Sequence, residues 1–160
     1  MITRSGSVIT DVITPNPIRM LDTSTGNITI PKEGVAIGPS LERVAFLASA
    51  LGRNARMAVA NEPHCSYDTQ VPAGTLMPLP TSLTLYFYEQ QLDSVTLVAL
   101  DGRFGASWDD WSEQKELDRK RYHDEWLANT IGSVNNDFSW GHLSSNYCLL
   151  YTSPSPRDRG

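Results

Sequence analysis

"TSLTLYFYEQQLDSVTLVAL", residues 81–100, carries the best strand signal in the chain. Its first half alternates Leu83, Leu85 and Phe87 against Thr84, Tyr86 and Tyr88. Successive side chains on a strand point to opposite faces, so this alternation predicts a strand with one face buried. Beyond "EQQ", the run "LDSVTLVAL" sets Val95 and Leu97 on one face. The two runs are close enough in sequence to pair as an antiparallel hairpin.

Toward the N-terminus, "RMAVANEP" predicts a strand from near Arg56 that ends by Pro63, and "HCSYDTQ" continues the extended pairing. "VPAGTLMPLP" carries three prolines and reads as an irregular connection. Before these lies "PSLERVAFLASALG", a helix pattern with Ser40 as N-cap and Gly52 as a left-handed stop. Leu41, Val44, Leu47, Ala48 and Leu51 recur at helical spacing and predict its apolar face. "SVITDVIT" (7–14), "NITIP" (27–31) and Val35–Ile37 read as short strands.

Toward the C-terminus, "DGRFG" is a turn. "SWDDWSEQKELDRKRYHDEWLANTIG" is a second helix closed by Gly132, with Ser107 and Asp110 in the S-x-x-D form of a capping box. Trp108, Trp111, Lys115, Asp118, Tyr122 and Trp126 make a stripe that is aromatic at both ends and charged between them. Glu116 with Lys120, Lys120 with Asp124, and Arg121 with Glu125 are spaced for ion pairs along the helix. These features predict a mostly solvated helix docked by Trp and Tyr. "DFSWGHLSSNY" then approaches a last strand. The expected class is α+β: an antiparallel sheet with two main helices, about residues 41–51 and 108–130, lacking a native C-terminal strand.

"CLLYTSPSPRD", residues 148–158, is similar residue for residue to a translated transposase adapter from short-read sequencing libraries. The resemblance implies one α+β domain over residues 1–147, truncated at its C-terminus, and a non-native tail over 148–160. Such scars are set aside before the fold is reasoned about. The tail is expected to be poorly ordered or to borrow an edge position of the sheet.

Setting the tail aside lowers Lys plus Arg from 13 to 11 and Asp plus Glu from 18 to 17, so the net charge moves from −5 to −6. An acidic surface disfavours nucleic acid and anionic membranes, which need clustered Lys and Arg, and permits a basic protein partner. Cys65 is the one cysteine outside the tail and has no internal disulfide partner there. No apolar run approaches 18 residues, and no signal peptide is visible, so a cytoplasmic protein is expected.

Motifs for chemistry are sparse. His64 and Cys65 are adjacent, so on a strand they face opposite ways and do not form a nucleophile–base pair. His64, Cys65 and Asp68 are too few and too closely spaced for a structural zinc site, and no metal or cofactor is expected. His123, Asp124 and Glu125 fan out around a helix and read as a solvated face. The glycines form no phosphate-binding loop.

The order of "PSLERVAFLASALG", "SLTLYFYEQQLDSVTL", "SWDDWSEQKELDRKRYHDEWL" and "FSWGHLSSNY" resembles small uncharacterised bacterial α+β proteins, some of them immunity-like partners of toxins. The resemblance implies a non-catalytic protein-binding domain, with an immunity-type inhibitor of a basic toxin as its most concrete form. Asp109, Asp110, Trp111, Glu113 and Trp126 are the expected partner-binding residues, since Trp anchors and acidic groups suit a basic partner. The alternatives are a small hydrolase or transferase using His64 or His123 with a carboxylate, and a self-associating housekeeping domain.

Overall fold

The computed structural model describes residues 21–30, 34–105, 108–132, 135–145 and 150–153. The expected strand at 7–14 and the Ser107 capping position lie outside them. The chain is α+β; its described residues form a three-stranded and a seven-stranded antiparallel sheet with helices packed against them. The small sheet runs β1 (Leu21–Asp22), β2 (Asn27–Ile30), β3 (Val35–Ile37), in that order. The large sheet contains β4 (Arg56–Asn61), β5 (His64–Val71), β6 (Thr81–Tyr88), β7 (Gln91–Ala99), β8 (Asn135–Phe138), β9 (Gly141–Ser145) and β10 (Leu150–Ser153). Their order across the sheet is β4-β5-β6-β7-β10-β9-β8.

The 81–100 stretch is the predicted hairpin. β6 and β7 pair from Thr81↔Ala99 to Tyr88↔Gln91, with a bulge where Tyr86 and Phe87 oppose Ser94 and Leu92. Glu89, at the turn, takes a left-handed φ of 54°. The register stacks Cys65 beside Phe87, and Tyr67 beside Leu85 and Val95, on one face. All five are buried. The opposite face carries His64 beside Tyr88, Ser66 beside Tyr86 and Ser94, and Asp68 beside Thr84 and Thr96. Period-two alternation thus continues across three strands.

The first helix departs from its expected form. It splits into α1 (Arg43–Ala48) and α2 (Ala50–Arg53) at Ser49, whose backbone is extended (φ −77°, ψ 164°). Ser49 Oγ donates to the Phe46 carbonyl at 2.6 Å and accepts from the Gly52 amide at 3.1 Å. A serine hydroxyl that bonds local backbone competes with the helical ladder, and here it ends one helix and caps the next. Ser40 is not the cap; the first helix starts after Glu42 without a side-chain cap bond. Gly52 lies within α2, where an added Cβ would fall 1.9 Å from the Phe46 carbonyl oxygen. It is there for close approach, not for a left-handed stop.

Because α1 has only six residues, the expected stripe is not continuous. Val44 is 62% exposed and Leu47 is exposed, whereas Phe46 is fully buried. Phe46 sits 5.8 Å from the rings of both Tyr67 and Phe87, which are 6.0 Å from each other. Burying a side chain of this size contributes about 2–3 kcal/mol by transfer from water.

The second long helix, α3 (Glu113–Ile131), begins later than expected. Trp108–Asp110 forms a short 3-10 turn, and Ser112 supplies the cap by accepting from the Lys115 amide at 3.1 Å. Gly132 closes it in the left-handed conformation, φ 89°, as the sequence predicts. The helix is less solvated than its charge suggests: Glu116, His123, Leu127 and Thr130 are buried. Of the expected pairs, Lys120–Asp124 forms at 2.8 Å, while Glu116 binds Arg119 at 2.8 Å and Arg121 binds Asp118 at 3.2 Å.

Leu150–Ser153, inside the adapter-like run, takes an interior place in the sheet and not an edge. It pairs with β7 through Leu150↔Leu97, Tyr151↔Thr96 and Thr152↔Val95, and with β9 on its other side. Among the described strands, β4 and β8 are the outermost of the large sheet.

Candidate partner-binding surfaces

The residues that could support catalysis do not converge. His64 is exposed at the start of β5, with its ring edge-on to Tyr88 at 5.1 Å. Cys65 points the other way and is buried. Its Sγ lies 2.9 Å from Arg43 Nη1 and donates to Glu62 Oε2 at 3.3 Å, and Arg43 and Glu62 are themselves paired at 3.1 Å. Burial, then the Glu62 carboxylate, push the thiol above its ordinary range, against the pull of Arg43. A thiol held protonated is a poor nucleophile.

His123 is fully buried, which corrects its reading as part of a solvated face. Its Nε2 accepts from the Ala99 amide at 3.0 Å. The nitrogen that accepts carries no proton, so the neutral ring is protonated at Nδ1. Burial and then the Arg119 guanidinium hold its pKa down to about 4, with Asp124 opposing. The charged neighbours in sequence concealed this role: Lys120 and Asp124 pair with each other, while the imidazole turns onto the end of β7. His142, on β9, pairs with Asp137 at 2.6 Å. Among the described residues no group of three or more His, Cys, Asp and Glu is arranged to hold a metal ion. No helix among them is long and apolar enough to cross a membrane.

Four of the five expected partner-binding residues gather at the start of α3. Asp109 and Glu113 are exposed, and Trp111 is 48% exposed. Asp110 is half-buried, and its carboxylate and carbonyl both receive Lys115 Nζ. Trp126 is partly buried against the core. It lies thirteen positions along the helix from Glu113, a rise of about 20 Å. It therefore belongs to the docking of α3, and the exposed corner consists of Asp109, Trp111 and Glu113 with Asp110 behind them.

A second surface lies on the face of the large sheet opposite Cys65, Tyr67 and Phe87. Val59, Ser66, Tyr86 and Ser94 form one row across β4, β5, β6 and β7. With His64, Asp93 and Thr96 they line an open depression of about 360 Å³. Sequence reasoning passed over it because alternating Ser and Thr read only as the solvated side of a strand.

No family model matches the chain, and no curated protein matches it in sequence. Among solved structures, one chain from "Rhs1-CT in complex with cognate immunity protein RhsI1" has a TM-score of 0.52. The likeness covers 88% of this chain and 89% of that one. The two chains share a fold. Their sequence identity is 10%, so the likeness lies in architecture and transfers no residue role.

Proposed function

We propose that this chain is a non-catalytic protein-binding domain of the immunity type, acting in the cytoplasm on a basic protein partner. The observation that carries the reading is its architectural likeness to a chain from an immunity-protein complex, over nearly the whole of both chains. The dispersed histidines support it: one is exposed, one buried as a backbone acceptor and one paired at a hairpin. The net charge of −5 favours a basic partner through attraction over the whole surface.

The contact surface in this reading is the corner formed by Asp109, Trp111 and Glu113. A half-exposed Trp flanked by carboxylates offers a large rigid anchor inside a charged rim. The test is the triple variant Asp109→Asn, Trp111→Ala, Glu113→Gln, titrated against the protein encoded beside its gene. Loss of a Trp anchor and two complementary charges is expected to weaken binding by about 2 kcal/mol or more. Unchanged affinity with an unchanged circular dichroism spectrum would move the contact surface elsewhere.

A further inference from the structure

The two outermost described strands of the large sheet, β4 and β8, end it in different ways. An outer strand presents backbone donors and acceptors to any chain that can pair with it, and proteins guard such strands with charge, proline or a bulge. β8 carries the exposed carboxylate of Asp137. β4 runs Met57-Ala58-Val59-Ala60-Asn61 with neither a charge nor a proline, and all six residues of the strand, from Arg56 on, are exposed. Its bulge bends the strand near Ala58 and leaves Val59–Asn61 in regular register with β5. The bulge also turns two apolar side chains to opposite faces, Met57 into the row of Tyr67 and Val59 into that of Ser66. Met57 is 52% and Val59 48% exposed. On the helix side, exposed Leu47 lies one turn from Arg43, whose guanidinium reaches Glu62 at the end of β4. Apolar side chains thus flank this edge on both faces.

The strand that fits this edge is its own copy. Antiparallel pairing about a two-fold axis at Val59 sets Val59 against Val59 of the second copy, Ala58 against Ala60, and Met57 against Asn61. Charge favours the same orientation. The Arg56 side chain, 79% exposed, lies at one end of the strand, and that of Glu62, 69% exposed, lies just past the other. The two-fold brings the basic end of each strand to the acidic end of the other, whereas parallel pairing would bring like ends together. Arg56 and Glu62 keep their own partners, Asp68 and Arg43, so they set orientation without forming a new ion pair. We propose that β4 pairs antiparallel with β4 of a second copy of this chain, joining two seven-stranded sheets into one. The charged outer strand β8 stops the assembly at two. The inference stands apart from the protein-binding role and uses none of residues 109–113.

The test is sedimentation velocity of the full chain from about 10 µM to about 1 mM. One short strand pair falls at the small end of specific interfaces, so a monomer–dimer equilibrium with a Kd of roughly 100 µM is expected. Val59→Lys sets like charges directly opposite each other and is expected to weaken the dimer roughly fivefold or more, with the circular dichroism spectrum unchanged. Oxidation in a Cys148→Ser background reads the register without relying on that variant. Val59→Cys should form a disulfide-linked dimer, and Met57→Cys should not, because its two copies lie at opposite ends of the pairing, beyond disulfide reach. A monomer at every concentration, assemblies larger than a dimer, or equal crosslinking at positions 57 and 59 would overturn the inference. Amide-exchange protection of residues 57–61 that arises only on adding the protein encoded beside the gene would also overturn it, giving the edge to that partner and leaving the protein-binding reading intact. That reading falls only if the partner itself fails to bind.

Discussion

Lowering the pH through the range in which His123 titrates should loosen the fold by a calculable amount. His123 has a pKa of about 4 in the folded chain, against an ordinary value of 6.5. The folded state therefore binds fewer protons than the unfolded state between these values, and stability falls as pH falls from 6.5 toward 4. Above 6.5 the group is neutral in both states and contributes no pH dependence; below 4 it is protonated in both, and the loss is complete. One pKa unit corresponds to about 1.4 kcal/mol, so the full loss is about 3 kcal/mol. Burial of the ring is the largest cause, followed by the Arg119 guanidinium, with Asp124 opposing and Lys120 adding to the effect; a protonated ring would also lose its acceptor for the Ala99 amide. Urea titrations followed by circular dichroism from pH 7.5 to 4.5 measure the effect. Carboxylates also titrate toward the lower end, so the informative quantity is the difference from His123→Gln, whose side-chain oxygen can still accept from the amide. The variant should lose most of the pH dependence between 6.5 and 5. Equal slopes for the two proteins in that window would refute the assignment of His123 as a neutral buried acceptor.

Gly26 has φ +80°, and a Cβ there would fall 2.4 Å from the Trp140 ring, which donates through Nε1 to the Thr23 carbonyl at 2.8 Å. Gly26→Ala should therefore cost about 2 kcal/mol or more from combined backbone strain and overpacking, read as a lowered urea midpoint. In a Cys148→Ser background, Cys65 should react slowly with an aromatic disulfide reagent in the native state and rapidly in denaturant; comparable rates would contradict its burial and raised pKa. Ending the chain at Tyr147 removes the strand between β7 and β9, so the shortened protein should unfold at lower urea than the full chain, and equal midpoints would show that Leu150–Ser153 adds nothing to the sheet.

The hairpin at 81–100 was legible because a period of two is imposed by strand geometry itself, and both strands bury one face. Strands β2 to β4 were readable from extended runs bounded by turn residues, although β4 buries neither face, and Gly132 because a left-handed stop demands its residue type. The first helix was misjudged because its ending depends on one hydroxyl, that of Ser49, choosing local backbone over solvent. Once the helix is cut to six residues, Phe46 rather than Val44 and Leu47 faces the sheet. His123 was hidden by its company: sequence shows Lys120, Asp124 and Glu125 around it, but not the Ala99 amide waiting at the end of β7. The acidic corner at 109–113 could be seen as composition, whereas the separation of Trp126 from it required knowing which side of α3 meets the core. The depression at Ser66, Tyr86 and Ser94 needed the register of four strands, which no local pattern encodes.

The proposed role of this chain is to hold a protein partner. Isothermal titration of the full chain with the protein encoded beside its gene tests it most directly. A one-to-one complex is expected, with a Kd of roughly 1 µM or tighter that weakens with added salt as complementary charge requires. Heatless mixing, with the two proteins eluting separately at concentrations about a hundredfold above that Kd, would contradict it.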